Sequence, residues 1–332
     1  MKTLLLSKND VESILTMEGV IEAVKDGYRA FEEGRVQQPD IVSMEMPEYN
    51  GETDIKSCYN EGNKSISVKT ASGFFDNGKK NTLPTMIGVI QVFDGQTGAL
   101  LCVMDGSLIT GIRTGAAGAI SSELLARKDA KTVCVIGGGG QARMQVYGLC
   151  KVRDIKTVKA FSPYPPELAQ YKKDVEAKTG AEVIICEAVE DAAKDADIII
   201  TTTPSKEFLL PAEVVKAGTH IVAVGADMAG KNEVDPKLFA NAKVVNDNIA
   251  QCTGRGETRN AVIAGIIKEE DIYAEIGEIL TGKKPGRTDD AEITIFDTTG
   301  MAIQDNVTAM NVYLTAKEKG IGQYFEFLEG EA

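Results

Sequence analysis

The stretch KTVCVIGGGGQA, residues 131–142, decides how the rest of the chain is read. A short apolar run ending at Ile136 turns at once into four glycines, and the glycines lead into the helical pattern of residues 137–151. The spacing is G-x-G-x-x-A, with Gly137, Gly139 and Ala142 in the three small places. The first glycine permits a tight turn, the second lets a pyrophosphate approach the backbone, and the small third residue lets the helix close on the strand. The first amides of such a helix point at the phosphates. A glycine turn without ligand is the alternative, and the position between strand and helix favours the phosphate cradle. Gly140 and Gln141 complete the loop.

Working outward, short apolar strands alternate with helices. IKTVKAF (155–161), AEVIIC (181–186), DADIIITTT (195–203), THIVAVG (219–225), AKVVND (242–247) and EITIFDTTG (292–300) read as strands, the last of these as the final strand of the chain. Residues 165–180 and 188–196 read as helices between them. Alternation of this kind predicts an α/β fold with a doubly wound parallel sheet. Ligands in such sheets bind outside the strand C-termini, where strand order reverses. That places Thr202 and Thr203, just before Pro204, and the 225–227 turn at the crevice. The threonines also suit plain β-branched strand filler.

Upstream, residues 6–34 read as one helix, with Ile14, Val20, Ile21, Val24, Tyr28 and Phe31 at three- and four-residue steps. A β-rich zone with many turns follows from Gln37 to Met104, with strands at 65–68 and 86–93. An Ala-, Gly- and Ser-rich helix from Thr110 to Ala126 predicts close packing on another backbone. A last helix, 302–319, lies outside the nucleotide-binding pattern and is expected to return to the first part of the chain.

Composition narrows the chemistry. Of 332 residues, 36 are Lys or Arg and 49 Asp or Glu, a net charge of −13. That argues against nucleic-acid binding, which needs clustered basic residues. The one histidine, His220, excludes multi-histidine zinc sites and disfavours a Ser-His-Asp triad, and we expect no metal. His220 opens a strand and reads as structural. Six cysteines without C-x-x-C spacing read as buried thiols in a reducing compartment. The apolar run at residues 4–6 is too short for a signal peptide, and no apolar stretch is long enough to span a bilayer. A soluble cytoplasmic protein is expected.

The end of the second strand, Phe161-Ser162-Pro163, carries neither an acid for ribose hydroxyls nor an arginine for a 2′-phosphate. Ser162 suits either. The absence of arginine tilts the reading to NAD, while Lys172 and Lys173 keep NADP open.

Several stretches together resemble one family. Lys69-Thr70, LPTMIGVIQVFDGQTGALLCVMDGSLITGIRTGAAGA (83–119), IGGGGQAR (136–143), VGADMAGKNEVD (224–235), EIGEILTGKKPGR (275–287) and ITIFDTTGMAIQDNVTAMNVY (293–313) resemble the ornithine cyclodeaminase/μ-crystallin family, in that family's order and over nearly the whole chain. The resemblance implies a Rossmann domain at 126–303 and an α+β substrate-binding and dimerisation domain at 1–125 with 304–332, assembled as a homodimer. It implies NAD(P)-linked chemistry on a small amino or imino acid through its α-imine, with L-ornithine giving L-proline and ammonia as the leading activity. A net amino-acid dehydrogenase or imine reductase, alanine dehydrogenase-like or ketimine reductase-like, is the alternative. A crystallin-like dinucleotide binder with little turnover is a third reading.

Carried over residue by residue, Lys69 and Arg113 hold the substrate carboxylate, and Asp227 is the catalytic acid/base, buried at a strand end; an Asp capping the following turn is the bland reading. The resemblance adds Thr85, Thr110, Val224 and Lys231 to the cofactor set. Glu257, Arg255 and Arg259 resemble a segment near the family's cofactor site and equally suit a surface loop. The chain departs from the family where relatives carry Q-P-x-R: here it reads Gln38-Pro39-Asp40-Ile41, and no arginine occurs between Arg35 and Arg113. Relatives' Met-Pro is replaced by Cys58-Tyr59. Both departures touch the substrate pocket, and Lys56 or Lys64 is the candidate for the missing charge.

Overall fold

The computed structural model describes residues 2–80 and 82–327, with side chains for all of these except 79 and 80. The chain opens with β1 (Lys2–Leu6), α1 (Lys8–Ile14) and α2 (Met17–Glu32), then β2 (Val36–Gln37), β3 (Val42–Met46), β4 (Gly51–Asn60), β5 (Ser65–Phe74), α3 (Asn77–Lys80), β6 (Met86–Asp94), β7 (Leu100–Asp105) and α4 (Ser107–Leu125). Next come β8 (Thr132–Ile136), α5 (Gly140–Val152), β9 (Thr157–Phe161), α6 (Leu168–Thr179), β10 (Glu182–Ile185), α7 (Val189–Ala193), β11 (Ile198–Thr201), β12 (His220–Ala223) and β13 (Ala242–Asn246). α8 (Ile249–Arg255), α9 (Glu257–Ile263), β14 (Ala274–Glu275), α10 (Ile276–Leu280), β15 (Ile293–Asp297), α11 (Ala302–Lys319) and β16 (Gln323–Glu326) complete it.

Two compact units result: residues 1–113 with 301–332, and residues 114–300. The first holds a mixed sheet in the order β16-β1-β7-β6-β5-β4-β2, with β3 on β4. α11 packs on α2: a Cβ on Gly27 would stand 3.2 Å from Val307. The single helix expected over 6–34 is two helices. Thr16 interrupts it, its hydroxyl accepting from the Gly19 amide as the N-cap of α2. The sequence pattern marks no strand at β1, and among the described residues the last strand is β16, not β15.

The second unit holds a parallel sheet in the order β10-β9-β8-β11-β12-β15-β13-β14. Its central strands β11 and β12 are buried at every position, as in a sheet covered on both faces. Strand order reverses between β8 and β11. The small residues of α4 act as expected: a Cβ on Gly115 would lie 2.4 Å from the Met144 carbonyl oxygen, and one on Gly148 would lie 2.6 Å from that of Gly115, so α4 and α5 touch backbone to backbone.

Candidate active site

In the first unit the chemistry gathers at one buried carboxylate. Asp305, in the first turn of α11, has Lys69 Nζ 2.7 Å from Oδ2 and Arg113 Nε 3.0 Å from Oδ1. Lys69 sits on β5 and Arg113 on α4, and all three side chains are buried. Arg113 Nη1 also donates to Gln304 Oε1 at 2.8 Å, and Gln304 Nε2 donates to the Tyr28 hydroxyl at 2.5 Å. Lys56 is buried too, directly opposite Lys69 in the β4–β5 register. Lys64 is exposed in the turn between those strands. Of the two lysines considered for the missing arginine, only Lys56 lies beside the cluster.

Burial, then the Arg113 and Lys56 charges, draw Lys69 down to about 7 against the pull of Asp305. Burial alone would raise Asp305, but Arg113, Lys69 and Lys56 hold it below the usual carboxylate range. Lys69 and Arg113 thus share one carboxylate, with the Lys56 charge close enough to act on both Lys69 and Asp305, and this positive setting suits an anion. Thr110, one turn before Arg113, donates to the Gly106 carbonyl, and Thr85 precedes β6 with its own carbonyl accepting from Phe74.

In the second unit the glycine loop joins β8 to α5. Gly137 has φ +122°, and a Cβ there would strike Thr202 Oγ1 at 2.5 Å, so glycine is required. A Cβ at Gly139 or Gly140 would meet nothing within 4 Å. Gly139 caps α5 without any side-chain acceptor for its first amides. An open cradle over uncapped amides fits a dinucleotide pyrophosphate. Ala142 is fully buried against the sheet. Arg143, the last residue of the 136–143 stretch, braces the loop. Its Nη1 donates to the Gly138 and Gly139 carbonyls at 2.8 and 3.0 Å, and its Nε to Asp174 at 2.7 Å.

Ser162 is buried and accepts from the Tyr164 amide. No acid stands at this strand end; Glu167 lies instead beside the glycine loop, where a Cβ on Gly138 would stand 3.5 Å from its Oε2. Lys172 points elsewhere, donating to the Val183 carbonyl at 2.7 Å.

Thr202 Oγ1 donates to the Ile136 carbonyl, and the amides of Thr203 and Gly225 donate to the two oxygens of Glu233 at 2.5 and 2.9 Å. Val224 is buried just past β12. Asp227 departs from expectation: it is not buried, its side chain being 50% exposed, and it pairs with Lys231 at 2.7 Å. The chain leaves the sheet at Gly225, so the carboxylate projects from a loop and keeps its hydration.

Glu257 is buried on α9, which overturns the surface-loop alternative for that residue. Burial pushes Glu233 up to about 7 and Glu257 up to about 8, the latter helped by the nearby Asp297, which burial likewise raises to about 7. Glu233 and Asp297 lie within the 224–235 and 293–313 stretches. Nothing in spacing distinguishes a buried glutamate from a solvated one. His220 is structural as read: it is buried, with Nδ1 2.8 Å from Thr294 Oγ1 and Nε2 3.2 Å from Ser121 Oγ.

The chain is similar to known proteins over nearly its whole length. The sequence model of the Ornithine cyclodeaminase/mu-crystallin family matches residues 1–320. The alanine dehydrogenase of Archaeoglobus fulgidus is 38% identical over 328 residues, 98% of this chain and 99% of that protein. The Thermococcus litoralis Delta(1)-pyrroline-2-carboxylate reductase, solved with NADH and L-proline, superposes with a TM-score of 0.94 at 33% identity, covering 97% of this chain and 99% of that one. An archaeal alanine dehydrogenase dimer with bound NAD superposes with a TM-score of 0.93 at 37% identity, covering 99% and 100%. This chain belongs to the ornithine cyclodeaminase/mu-crystallin family.

Proposed function

We propose that the chain is an NAD-dependent enzyme that interconverts a small amino acid and its α-imine with net turnover of the cofactor. The observation that carries this reading is the charge set of the first unit. The buried Lys69 and Arg113 suit an α-carboxylate, and Asp305, the one carboxylate in that unit's buried polar set among the described residues, is already held by them. A side-chain ammonium would find no buried acid of its own there.

In this reading Arg113 and Lys69 bind the α-carboxylate, the guanidinium by directed hydrogen bonds and the lysine as a point charge. Arrival of the anion favours protonated Lys69 and offsets the repulsion from Arg113 and Lys56. Lys56 takes over the charge that relatives carry in Q-P-x-R. Asp227, partly hydrated and already paired with an ammonium, exchanges a proton with the substrate nitrogen. Gly137, Gly139, Gly140, Gln141 and Ala142 hold the pyrophosphate, with Ser162, Thr202, Thr203, Val224 and Lys231 lining the strand ends. The nicotinamide, when bound, accepts or returns the hydride of the α-carbon. Glu167 beside Gly138 supplies the ribose acid that the strand end lacks and supports NAD.

Cyclodeamination of L-ornithine is the second reading. It draws on the same residues, and the Asp227–Lys231 pair is an observation in its favour, since a carboxylate that accepts one ammonium can accept another. Incubation with NAD and L-alanine, L-proline or L-ornithine separates the two. Accumulating NADH supports net redox; proline and ammonia without NADH support cyclodeamination; no turnover with any amino acid or 2-oxo acid sinks both.

A homodimer is the assembly we infer. Val42, Met44, Met86, Ile87 and Val89 leave apolar side chains exposed on β3 and β6 of the first unit, and a relative is a dimer. Sedimentation showing a monomer at micromolar concentration would exclude it. All six cysteines are free, which suits a reducing compartment and supports the cytoplasmic expectation. Among the described residues no helix is long and apolar enough to cross a membrane.

A further inference from the structure

The loop that carries Asp227 hangs from its neighbours by its backbone. Arg255 Nε, at the end of α8, donates to the Asp227 carbonyl at 2.6 Å. Asn260 Nδ2, on α9, donates to the Lys231 carbonyl at 2.8 Å. Glu257 Oε1, on the same helix, accepts from the Glu233 amide at 2.5 Å. These three side chains lie within six residues of one another and hold the loop at its start, middle and end.

The brace is itself rooted in the sheet. Asp297, at the end of β15, accepts from the Thr258 amide at 2.8 Å, and a Cβ on Gly256 would strike that carboxylate at 2.5 Å, so α9 begins flush against the strand end. On the other side the Glu233 carboxylate ties the Thr203 and Gly225 amides, and the Asn232 amide donates to the Ser205 carbonyl at 2.8 Å.

These backbone attachments fix the Cα of Asp227, whose carboxylate pairs with Lys231 on the same loop. A half-exposed carboxylate on an untethered loop would sample many positions, and a displacement of about 1 Å can cost a factor of about 100 in rate. We infer that Arg255, Glu257 and Asn260 are positioning residues that hold Asp227 for proton transfer. The inference rests on the catalytic reading of Asp227.

Hydrogen–deuterium exchange on the full chain reads the brace without turnover. Arg255→Met, Asn260→Ala and Glu257→Ala should each speed exchange of the 226–233 amides by about tenfold or more, while amides of β8 and β12 keep wild-type rates. Glu257→Gln keeps an acceptor oxygen, and because Glu257 is raised to about 8 the neutral amide mimics its form near neutrality, so this variant should exchange like wild type.

With L-alanine and L-proline as the amino acids tested, Arg255→Met and Glu257→Ala should lower kcat by about 10- to 100-fold. KM for the amino acid should stay within about twofold, and Glu257→Gln should restore most of the rate. Asp227→Asn is measured in parallel. If it turns over like wild type, the catalytic reading of Asp227 falls and the inference falls with it. If it is inactive while Arg255→Met and Asn260→Ala match wild type in exchange and kcat, only the brace is overturned. Equal acceleration of exchange across the whole unit would also overturn it, as it would mark a merely structural role.

Discussion

Lys69 Nζ stands 2.7 Å from Oδ2 of Asp305, and both side chains are 2% exposed. The pair brings β5 and the first turn of α11 together across most of the chain's length. Its energetics follow from burial: the desolvation of each ion is offset only while the other is present.

Replacing Asp305 by Asn leaves Lys69 and Arg113 buried without the carboxylate they share. Loss of one partner of a buried ion pair costs about 3–5 kcal/mol. Urea unfolding should show a loss in that range, and a change below about 1 kcal/mol would mean that the cations are better solvated than the geometry indicates.

Lys69 should make carboxylate binding pH-dependent. Its folded value, about 7, lies below its ordinary value of 10.5, so the unfolded chain binds the extra proton between the two. Two signs follow. The burial of Lys69 charge penalises folding most below pH 7, and the penalty is relieved as pH rises from there toward 10. Affinity for an anion runs the other way, since deprotonation removes a charged hydrogen bond of about 1.5–3 kcal/mol. Binding of a simple carboxylate inhibitor should therefore weaken by about tenfold or more between pH 6 and pH 9, and Lys69→Arg should flatten the profile. An unchanged profile in Lys69→Arg would assign the titration to another group.

The glycine loop separates folding from cofactor binding. Gly137→Ala should fail at both, because its φ of +122° and the contact with Thr202 are properties of the folded chain. Gly139→Ala has room and an ordinary φ of −80°, so its melting temperature should stay near wild type. Its methyl group would occupy the pyrophosphate cradle, and NADH affinity should fall by about tenfold or more. With no tryptophan in the chain, NADH fluorescence follows the titration cleanly. Wild-type affinity in Gly139→Ala would move the phosphates elsewhere.

Glu167→Gln should weaken NADH by about tenfold, the loss of a charged hydrogen bond, and leave NADPH as it was or slightly better. The ratio of the two dissociation constants is the measurement. A ratio equal to wild type would remove Glu167 from the ribose site.

Much of this protein is written in local patterns. The parallel sheet was legible because β8, β11 and β12 are near-continuous apolar runs between turn residues, and α11 was legible near its observed bounds, Ala302–Lys319. Gly137 and Ala142 declare themselves because a tight turn and a close helix leave few residue types. The break at Thr16 was missed because its two helices share one apolar stripe, and β1 because five residues carry little periodicity. β16 has an exposure pattern with no alternation at all.

The partnerships came only with the tertiary structure. Lys69, Arg113 and Asp305 are separated by up to 236 positions, and nothing in the composition around Asp305 tells it from a solvated aspartate. Glu233, Glu257 and Asp297 are acids that burial raises and backbone amides hold, a property of surroundings that one sequence does not contain. Asp227 went the other way, read as buried and found half exposed. The sequence by itself determined most strands of the parallel sheet, the phosphate loop and the supply of charged groups, because propensity, backbone sterics and hydrophobic period act over a few residues. Which charges pair, which are stripped of water and which loop is tied to which helix were decided by the tertiary structure, because Coulomb interaction and desolvation depend on distances that only packing sets.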